Sequence, residues 1–308
     1  MPSRKSSNSS RRAKKPKPSF SLSSRLVPRL LIIPALAILL GVTIYPLLFA
    51  YYMSVHEMTI VNFWNPRFIE LRNYIEIISR SDFWYSIRFS LFFMVIVTVI
   101  EFALGLGIAV LLDRPIRGKR AVISMILIPM GIAPALFGIM MKLMLNEFVG
   151  IVPFILKQMG ITYNFFRDFT SSLITLIWVD VIQWTPFIFI IIYASLQALP
   201  RDPIEAAIVD GASRWQIFRY VTFPMLRRTI LIVIIFRIMD ALKTFDTIYV
   251  MTGGGPGIST TTLSVYIFKL ALILGDYGLA AAATIIFLYL AMVVVSFALR
   301  FLRREEVI

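Results

Sequence analysis

Residues 199–224 read LPRDPIEAAIVDGASRWQIFRYVTFP and begin with a signal for the start of a helix. Asp202 is followed by Pro203, and Glu205 comes three residues after Asp202. A short acidic side chain can cap the free backbone N–H groups of a first turn, proline suits the first helical position, and a glutamate three residues on completes a capping box. The pattern predicts a short helix with Asp202 as its N-cap.

A second helix start follows within the same stretch. Ser213 and Gln216 have the spacing of a capping box, and Gly211 lies between the two predicted helices, where the chain must turn. Pro224 is expected to stop the second helix, because proline has no backbone N–H to donate. The stretch therefore predicts a helix-turn-helix.

Composition places the rest of the chain in a membrane. Hydrophobic residues make up 58% of the 308 residues and charged residues only 16%, unlike a typical soluble protein. Apolar stretches of about 20 residues recur, each long enough to cross a bilayer as a helix. The predicted spans are residues 30–54, 86–112, 121–145, 171–196, 226–250 and 277–300. The expected fold class is an all-α membrane protein with six transmembrane helices.

The distribution of positive charge indicates which side each loop occupies. Lys and Arg outside the spans concentrate before residue 30, in the 113–120 and 197–225 loops and after residue 299. By the positive-inside rule these segments, and both termini, are predicted to be cytoplasmic. Residues 1–25 are rich in Ser, Arg, Lys and Pro. They are predicted to form a disordered basic tail that touches membrane lipid, which leaves residues 26–308 as the transmembrane domain.

Catalytic, metal and nucleic-acid sites are not indicated. The chain has no cysteine and one histidine, and it lacks a Gly-x-x-x-x-Gly-Lys phosphate loop, a Gly-x-Ser-x-Gly elbow and a His-Glu-x-x-His zinc motif. The net charge of +14 would suit nucleic acid in a soluble chain. Here the helix-turn-helix lies between two spans, so no nucleic acid partner and no metal are expected.

The third predicted span contains three residues that favour a break in a helix, Pro129, Gly131 and Pro134. Such a break is tolerated at membrane depth where protein or water satisfies the freed backbone groups. A simple packing kink is the alternative interpretation.

The 199–224 stretch resembles the EAA loop of binding-protein-dependent ABC importer permeases. The residues that carry the resemblance are Glu205-Ala206-Ala207, Gly211, Val221 and Phe223-Pro224, with Val and Phe as mild departures from the pattern. The turn at 252–257 (TGGGPG) and residues 71–74 (LRNY) resemble the carbohydrate branch of this family, the maltose, trehalose and glycerol-phosphate type, and within it the first permease.

This resemblance implies a set of partners in a prokaryotic inner membrane. They are a second homologous permease, two ATPase subunits, and an extracytoplasmic protein that delivers a sugar-like solute. The 197–225 loop would be the coupling helix that docks onto an ATPase subunit. The docking residues would be Glu205, Ala206, Ala207, Asp210 and Gly211. ATP and Mg would bind to the partner subunits, so this chain would need no cofactor and would not be an enzyme.

Ionisable residues within the spans indicate a cavity, because a charge at membrane depth is costly unless it faces a partner or water. These residues are Glu101, Lys142, Asp180, Arg237, Asp240, Lys243 and Asp246. Two polar faces have the i, i+3, i+4, i+7 spacing of a helix. Their members are Asp180, Gln183, Trp184 and Phe187 on the fourth span, and Arg237, Asp240, Ala241 and Thr244 on the fifth. The resemblance implies that these positions, Ala241 aside, contact the solute.

Three alternatives remain open. Arg237 and Asp240 are one turn apart and could simply pair with each other. Arg237 stands where the resemblance leads us to expect a small neutral residue, which would favour an anionic solute such as a phosphorylated polyol, for example glycerol 3-phosphate. An ion-coupled secondary transporter would instead use Asp180, Arg237 and Asp240 as a relay and need no ATPase.

Overall fold

The computed structural model of the chain describes residues 23–305, with side chains from residue 32 to residue 300. Two units are distinguished, one up to Phe49 and one from Ala50 onwards. The predicted tail, residues 1–25, lies outside the described residues as far as residue 22. The first helix, α1, begins at Ser23 and ends at Ser54.

The second unit is helical apart from one small antiparallel hairpin, formed by β1 (His56–Glu57) and β2 (Arg67–Phe68). The helices that follow are α2 (Arg72–Ser79), α3 (Ser81–Leu112), α4 (Lys119–Leu127), α5 (Pro134–Met144), α6 (Ile151–Gln158), α7 (Phe169–Ala198), α8 (Asp202–Val209), α9 (Arg214–Ile217), α10 (Phe223–Leu242), α11 (Asp246–Thr252), α12 (Leu263–Phe268) and α13 (Tyr277–Glu305). The expectation of an all-α membrane fold is confirmed.

Four helices between residues 32 and 300 are long and apolar enough to cross a membrane, and a bent pair, α4 with α5, would make a fifth. The four are parts of α1 and α13 together with the whole of α3 and α7. The predicted fifth span, residues 226–250, does not form one helix, since α10 ends at Leu242 and α11 begins at Asp246. Helix α10 also carries Arg227, Arg228, Arg237 and Asp240, which lower its hydropathy. The count of six therefore stays a prediction.

The third predicted span, residues 121–145, is broken. A 3₁₀ turn at Pro129–Gly131 follows α4, and the axes of the two arms differ by 100°. Ile132 and Ala133 are extended, and Pro134 begins α5. A bend this large is more than the packing kink that proline usually produces, so the predicted break is confirmed.

The long helices α3 and α7 form the centre of the second unit. An added Cβ at Gly105 on α3 would lie 2.8 Å from Cγ2 of Ile188 and 3.1 Å from the backbone nitrogen of Phe189 on α7. Three buried clusters lie along α3, which contributes to each of them, and one of the three contains Ile188 and Phe189. The glycine lets the two backbones approach closely, as small residues do between membrane helices.

The LRNY segment at residues 71–74 fixes the loop between α1 and α3. The side-chain amide of Asn73 donates to the carbonyl oxygens of Ser54 and His56, each at 2.9 Å. The hydroxyl of Tyr74 donates to the hydroxyl oxygen of Ser54 at 2.8 Å. These bonds tie α2 to the end of α1 and to β1, which gives the segment a structural role.

Helix α8 begins one residue earlier than predicted. Arg201 occupies the N-cap position, and its carbonyl oxygen accepts hydrogen bonds from the backbone N–H groups of Ile204 and Glu205 at 3.0 and 2.9 Å. Asp202 is the first helical residue, so the predictions that it is the N-cap and that Glu205 completes a capping box are wrong. The reason is that Arg201 already has helical dihedral angles, which shifts the frame by one residue.

The turn between α8 and α9 matches its prediction. Gly211 has φ +80°, and the N–H of Ala212 donates to the carbonyl oxygen of Ala207 at 3.0 Å, which closes the end of α8. The capping box is also present. Gln216 Oε1 accepts from the N–H of Ser213 at 2.7 Å, and the Ser213 hydroxyl accepts from the N–H of Gln216 at 3.4 Å.

Pro224 does not stop the second helix, which corrects the prediction. Helix α9 continues through a π-helical turn at Phe218–Thr222 directly into α10. Pro224 lies in the first turn of α10, where its missing N–H is tolerated because the wider turn before it shifts the hydrogen-bonding frame. The chain is therefore helical without interruption from Arg214 to Leu242.

Candidate functional site

A buried ion cluster joins three helices at the centre of the second unit. Arg237 on α10 contacts Glu101 on α3 and Asp180 on α7, and these side chains are 1%, 0% and 1% exposed. The guanidinium donates from Nε and Nη2 to the two carboxylate oxygens of Glu101, the Nη2 to Oε1 bond measuring 2.8 Å, and Nη2 also donates to Asp180. This forked contact satisfies both carboxylate oxygens of Glu101.

The remaining nitrogen of Arg237, Nη1, contacts a carboxylate that is partly exposed to solvent. Nη1 donates to Oδ2 of Asp240 at 3.3 Å, and the carboxylate of Asp240 is 38% exposed. Nζ of Lys243 lies 3.6 Å from the other oxygen of Asp240. The guanidinium carbon is 5.4 Å from the centre of the Trp184 ring, within range of a cation–π contact. The cluster thus extends from a dry interior to an accessible edge.

A cavity of about 210 Å³ lies at that edge. It is lined by Pro134, Asp180, Trp184, Asp240, Lys243, Thr244, Phe245, Asp246 and Thr247. Its wall combines carboxylates, a hydroxyl-bearing threonine pair and the faces of two aromatic rings, a combination that binds hydroxyl groups and the apolar face of a sugar ring. Oδ1 of Asp180 is buried and makes no hydrogen bond within residues 32–300.

The structure brings four of the predicted solute-contact residues to this cavity: Asp180, Trp184, Asp240 and Thr244. Arg237 lies behind the wall and reaches the cavity through its carboxylate partners. Arg237 does pair with Asp240, as the first alternative proposed, but its shorter contacts are to Glu101 and Asp180 on two other helices.

Besides Arg237, two predicted contact residues, Gln183 and Phe187, do not line the cavity. Nε2 of Gln183 donates to the carbonyl oxygen of Ile132 at 3.1 Å, so this side chain satisfies a backbone group freed at the break before α5. Phe187 packs instead against the cluster where α3, α7 and α10 meet, and Ala241 is buried. Helical spacing could not separate these residues from their neighbours, since side chains three or four positions apart share a face but can reach different partners.

Three charged residues at or near the site were recognised in the sequence only as costly charges. Glu101 is the main partner of Arg237, and Lys243 and Asp246 line the cavity. The signal that could have placed Glu101 was its position inside an otherwise apolar span, which requires a buried partner. Lys142 is separate from this group, since its Nζ donates to the carbonyl oxygen of Val250 at 2.9 Å.

The predicted docking residues lie at a second surface. Glu205, Ala206, Asp210 and Gly211 are exposed and Ala207 is half-buried, so α8 and its turn present backbone and side chains to a partner. Beneath α8 a cleft of about 510 Å³ separates it from the ends of α3 and α7. The apolar wall of the cleft includes Val110, Leu196, Leu199, Ile204, Ile208 and Ile217.

Comparison with known proteins gives consistent matches along the chain. Residues 101–306 match the family described as binding-protein-dependent transport system inner membrane component. The trehalose/maltose transport system permease protein of Thermococcus litoralis is 34% identical over 89% of this chain and 92% of its own length. The sulfoquinovosyl glycerol transport system permease protein of Agrobacterium fabrum is 30% identical over 93% of this chain and 94% of its own length.

A third relative and a solved structure extend the comparison. The sn-glycerol-3-phosphate transport system permease protein of Agrobacterium fabrum is 26% identical over 92% of this chain and 96% of its own length. A chain of the bacterial alginate ABC transporter, solved in complex with alginate pentasaccharide-bound periplasmic protein, superposes with a TM-score of 0.81 at 20% identity, covering 92% of this chain and 96% of that one. The structural likeness concerns the fold.

Proposed function

Because the chain belongs to the family of binding-protein-dependent transport system inner membrane components, we propose that it is the permease subunit of an ABC importer for a sugar-like solute, a di- or oligosaccharide. It forms the translocation path with a second homologous permease. Two ATPase subunits dock on the 197–225 loop, and an extracytoplasmic binding protein delivers the solute. The observation that carries the proposal is the cavity beside Trp184 in a chain of this family.

The chain is a multi-pass membrane protein. We place it in the inner membrane of a prokaryotic cell with both termini in the cytoplasm, because the loops rich in Lys and Arg lie on the side of the coupling loop. In this orientation α8 faces the ATPase subunits. The basic residues before residue 30 would attract anionic lipid.

In this proposal the chain makes or breaks no covalent bond and holds no cofactor of its own. ATP and Mg bind to the ATPase subunits, and the closure of these subunits is passed to the spans through Glu205, Ala206, Ala207, Asp210 and Gly211. The exposure of α8 and its turn supports this role. Glu205 does not cap α8, but it lies in the first turn, where a carboxylate also favours the helix dipole.

The relatives' names favour a hydroxylated solute, since one transports trehalose or maltose. Another is named for sn-glycerol 3-phosphate, which keeps a phosphorylated polyol as the second candidate. The structure offers less for that anion, because the guanidinium of Arg237 is buried between carboxylates. An ion-coupled secondary transporter is the least supported alternative, because family membership already accounts for the EAA pattern.

The test is ATP hydrolysis by the four-subunit complex in lipid discs, with its binding protein and a panel of neutral and phosphorylated solutes. We expect a neutral di- or oligosaccharide to stimulate hydrolysis only when the binding protein is present. A complex that is never stimulated by any sugar would contradict the proposed solute class. Uptake driven by an ion gradient through the purified chain alone would favour the secondary transporter.

Trp184 is expected to contribute a stacking face for the solute. Its replacement by alanine should weaken solute binding to the complex by about tenfold, because the apolar face of a sugar ring loses an aromatic partner. Equilibrium binding of radiolabelled solute to the complex measures the change. The Trp184→Phe variant should stay within about threefold of the native affinity, since it keeps a ring.

The matched control is Trp178→Ala on the same helix, where Trp178 is exposed away from the cavity. It removes a side chain of equal size and should leave solute affinity unchanged. Equal losses in the two alanine variants would show that the effect comes from α7 packing, and the assigned role of Trp184 would be wrong.

A further inference from the structure

The charges around the cavity do not balance. One guanidinium, Arg237, faces two fully buried carboxylates, Glu101 and Asp180, and a third on Asp240 at the cavity edge. A buried arginine needs one carboxylate to neutralise it, so the cluster holds more carboxylates than its own cation requires. The surplus faces the cavity, because Asp180 and Asp240 are the members that line it.

Glu101 engages Arg237 in the most complete way. Its carboxylate accepts hydrogen bonds from both Nε and Nη2 of the guanidinium, on the side away from the cavity wall. The Glu101 side chain is 0% exposed. Asp180 accepts a hydrogen bond from only one nitrogen of the guanidinium, through Oδ2. Its other oxygen, Oδ1, makes no hydrogen bond within the described side chains. Glu101 thereby holds the positive charge of Arg237 in the interior, away from the cavity.

The cation that a solute can reach is Lys243, which lines the cavity and is 68% exposed. It lies beside Asp240, at 3.6 Å, and the wall also carries Asp180 and Asp246. A phosphate or carboxylate group in this cavity would meet more like charge than opposite charge. A neutral solute would meet hydrogen-bond acceptors that suit its hydroxyl donors.

We propose that Glu101 is a positioning residue that sets the charge selectivity of the cavity: by sequestering Arg237 it makes the site accept neutral hydroxylated solutes and reject anionic ones. This inference rests on the proposed function, because it assumes that the cavity receives the solute. It also reverses the interpretation of Arg237 as a reader of anionic groups, since its donors are already used by carboxylates.

A near-isosteric substitution tests the proposal. In Glu101→Gln the side chain keeps its length and one acceptor oxygen, but it loses the forked contact, so Asp180 is the one fully buried carboxylate left beside Arg237. The experiment measures binding of radiolabelled trehalose and trehalose 6-phosphate to the complete complex in lipid discs, held with a non-hydrolysable ATP analogue. Binding protein is omitted, so that its own selectivity does not enter.

In the native complex we expect trehalose 6-phosphate to bind at least about tenfold more weakly than trehalose, as one uncompensated charge in a partly desolvated site would produce. In Glu101→Gln the ratio of the Kd for trehalose 6-phosphate to the Kd for trehalose should fall by about tenfold. The fall should come from tighter binding of the phosphorylated sugar, while the affinity for trehalose changes by less than about threefold. If Glu101 had a purely structural role, the substitution would instead weaken the binding of both sugars by similar factors.

Two further variants complete the test. Asp82→Asn removes a carboxylate from the exposed first turn of the same helix, α3, and should leave the ratio unchanged. Asp240→Asn removes the partly exposed carboxylate at the cavity edge, leaves the buried contacts of Arg237 with Glu101 and Asp180 in place, and should also lower the ratio. It keeps the proposal testable if Glu101→Gln does not assemble, since an unchanged ratio in Asp240→Asn would overturn the argument that the excess of carboxylates excludes anions.

The inference and the proposed function fail in different ways. If the native complex binds trehalose and Glu101→Gln leaves the ratio unchanged, the role of Glu101 is wrong and the sugar permease stands. If the native complex prefers trehalose 6-phosphate, the charge selectivity is wrong and the phosphorylated polyol becomes the better candidate. If the native complex binds neither sugar and no sugar stimulates ATP hydrolysis, both are wrong.

Discussion

Replacing Gly211 with valine is expected to lower solute-stimulated ATP hydrolysis by the assembled complex by about tenfold or more. Gly211 has φ +80°, a left-handed conformation that costs a non-glycine residue about 1–2 kcal/mol and a β-branched residue the most. An added Cβ would meet no atom within 4 Å, so the strain comes from the backbone and not from a clash. The turn would relax, and α8 would leave the orientation that we propose for docking.

Two substitutions separate backbone strain from lost contact. Gly211→Asn should keep more than about half of the stimulated rate, because asparagine tolerates the left-handed region. Gly118→Val places the same strain at φ +76° in the 113–120 loop, also with no atom within 4 Å, and should change the rate less than about twofold. If Gly211→Asn is as inactive as Gly211→Val, the orientation argument is wrong and the surface itself must contact the ATPase subunit.

Replacing Arg237 with methionine is expected to prevent assembly of the complex. The substitution leaves Glu101 and Asp180 buried without a cation, and breaking a buried ion pair by removing one partner costs about 3–5 kcal/mol. That cost is a large fraction of the stability of a typical protein. The fraction of the tagged chain that elutes with its partners in size-exclusion chromatography measures the loss.

The control neutralises the whole cluster. A triple variant, Arg237→Met with Glu101→Gln and Asp180→Asn, buries no unpaired charge and should recover most of the assembled fraction, although solute binding should remain impaired. Arg237→Lys should give an intermediate yield, because an ammonium group cannot reproduce the forked contact with Glu101. Normal assembly of Arg237→Met would contradict the central role given to this cluster.

The sequence predicted what depends on local pattern. Apolar length located α3, α7 and α13 to within a few residues, and the Ser213 and Gln216 capping box is formed as expected. Both signals are short-range, because a span needs only enough apolar residues and a cap needs only its own first turn. The predicted start of α8 was wrong by one residue. The local pattern does not determine the helical dihedral angles of Arg201, because they depend on the surrounding structure.

The partners of the buried charges could not be predicted in this way. Glu101 and Arg237 are separated by 136 positions in the sequence, and their contact depends on the close packing of α3, α7 and α10. Spacing assigned Arg237 to Asp240 because both lie on one helix, whereas the structure gives it two nearer carboxylates on other helices. The sequence identified the costly charges but not which of them neutralise one another.

The continuity of α9 with α10 has a consequence for transmission through the protein. Arg214 to Leu242 is one uninterrupted helical segment, on the order of 40 Å long at 1.5 Å per residue. If the segment moves as a rigid rod, a tilt of about 5° about its α9 end shifts the other end, which carries Arg237 and Asp240, by about 3 Å. A small rotation of α9 would then become a movement comparable to a hydrogen-bond length at the cavity wall.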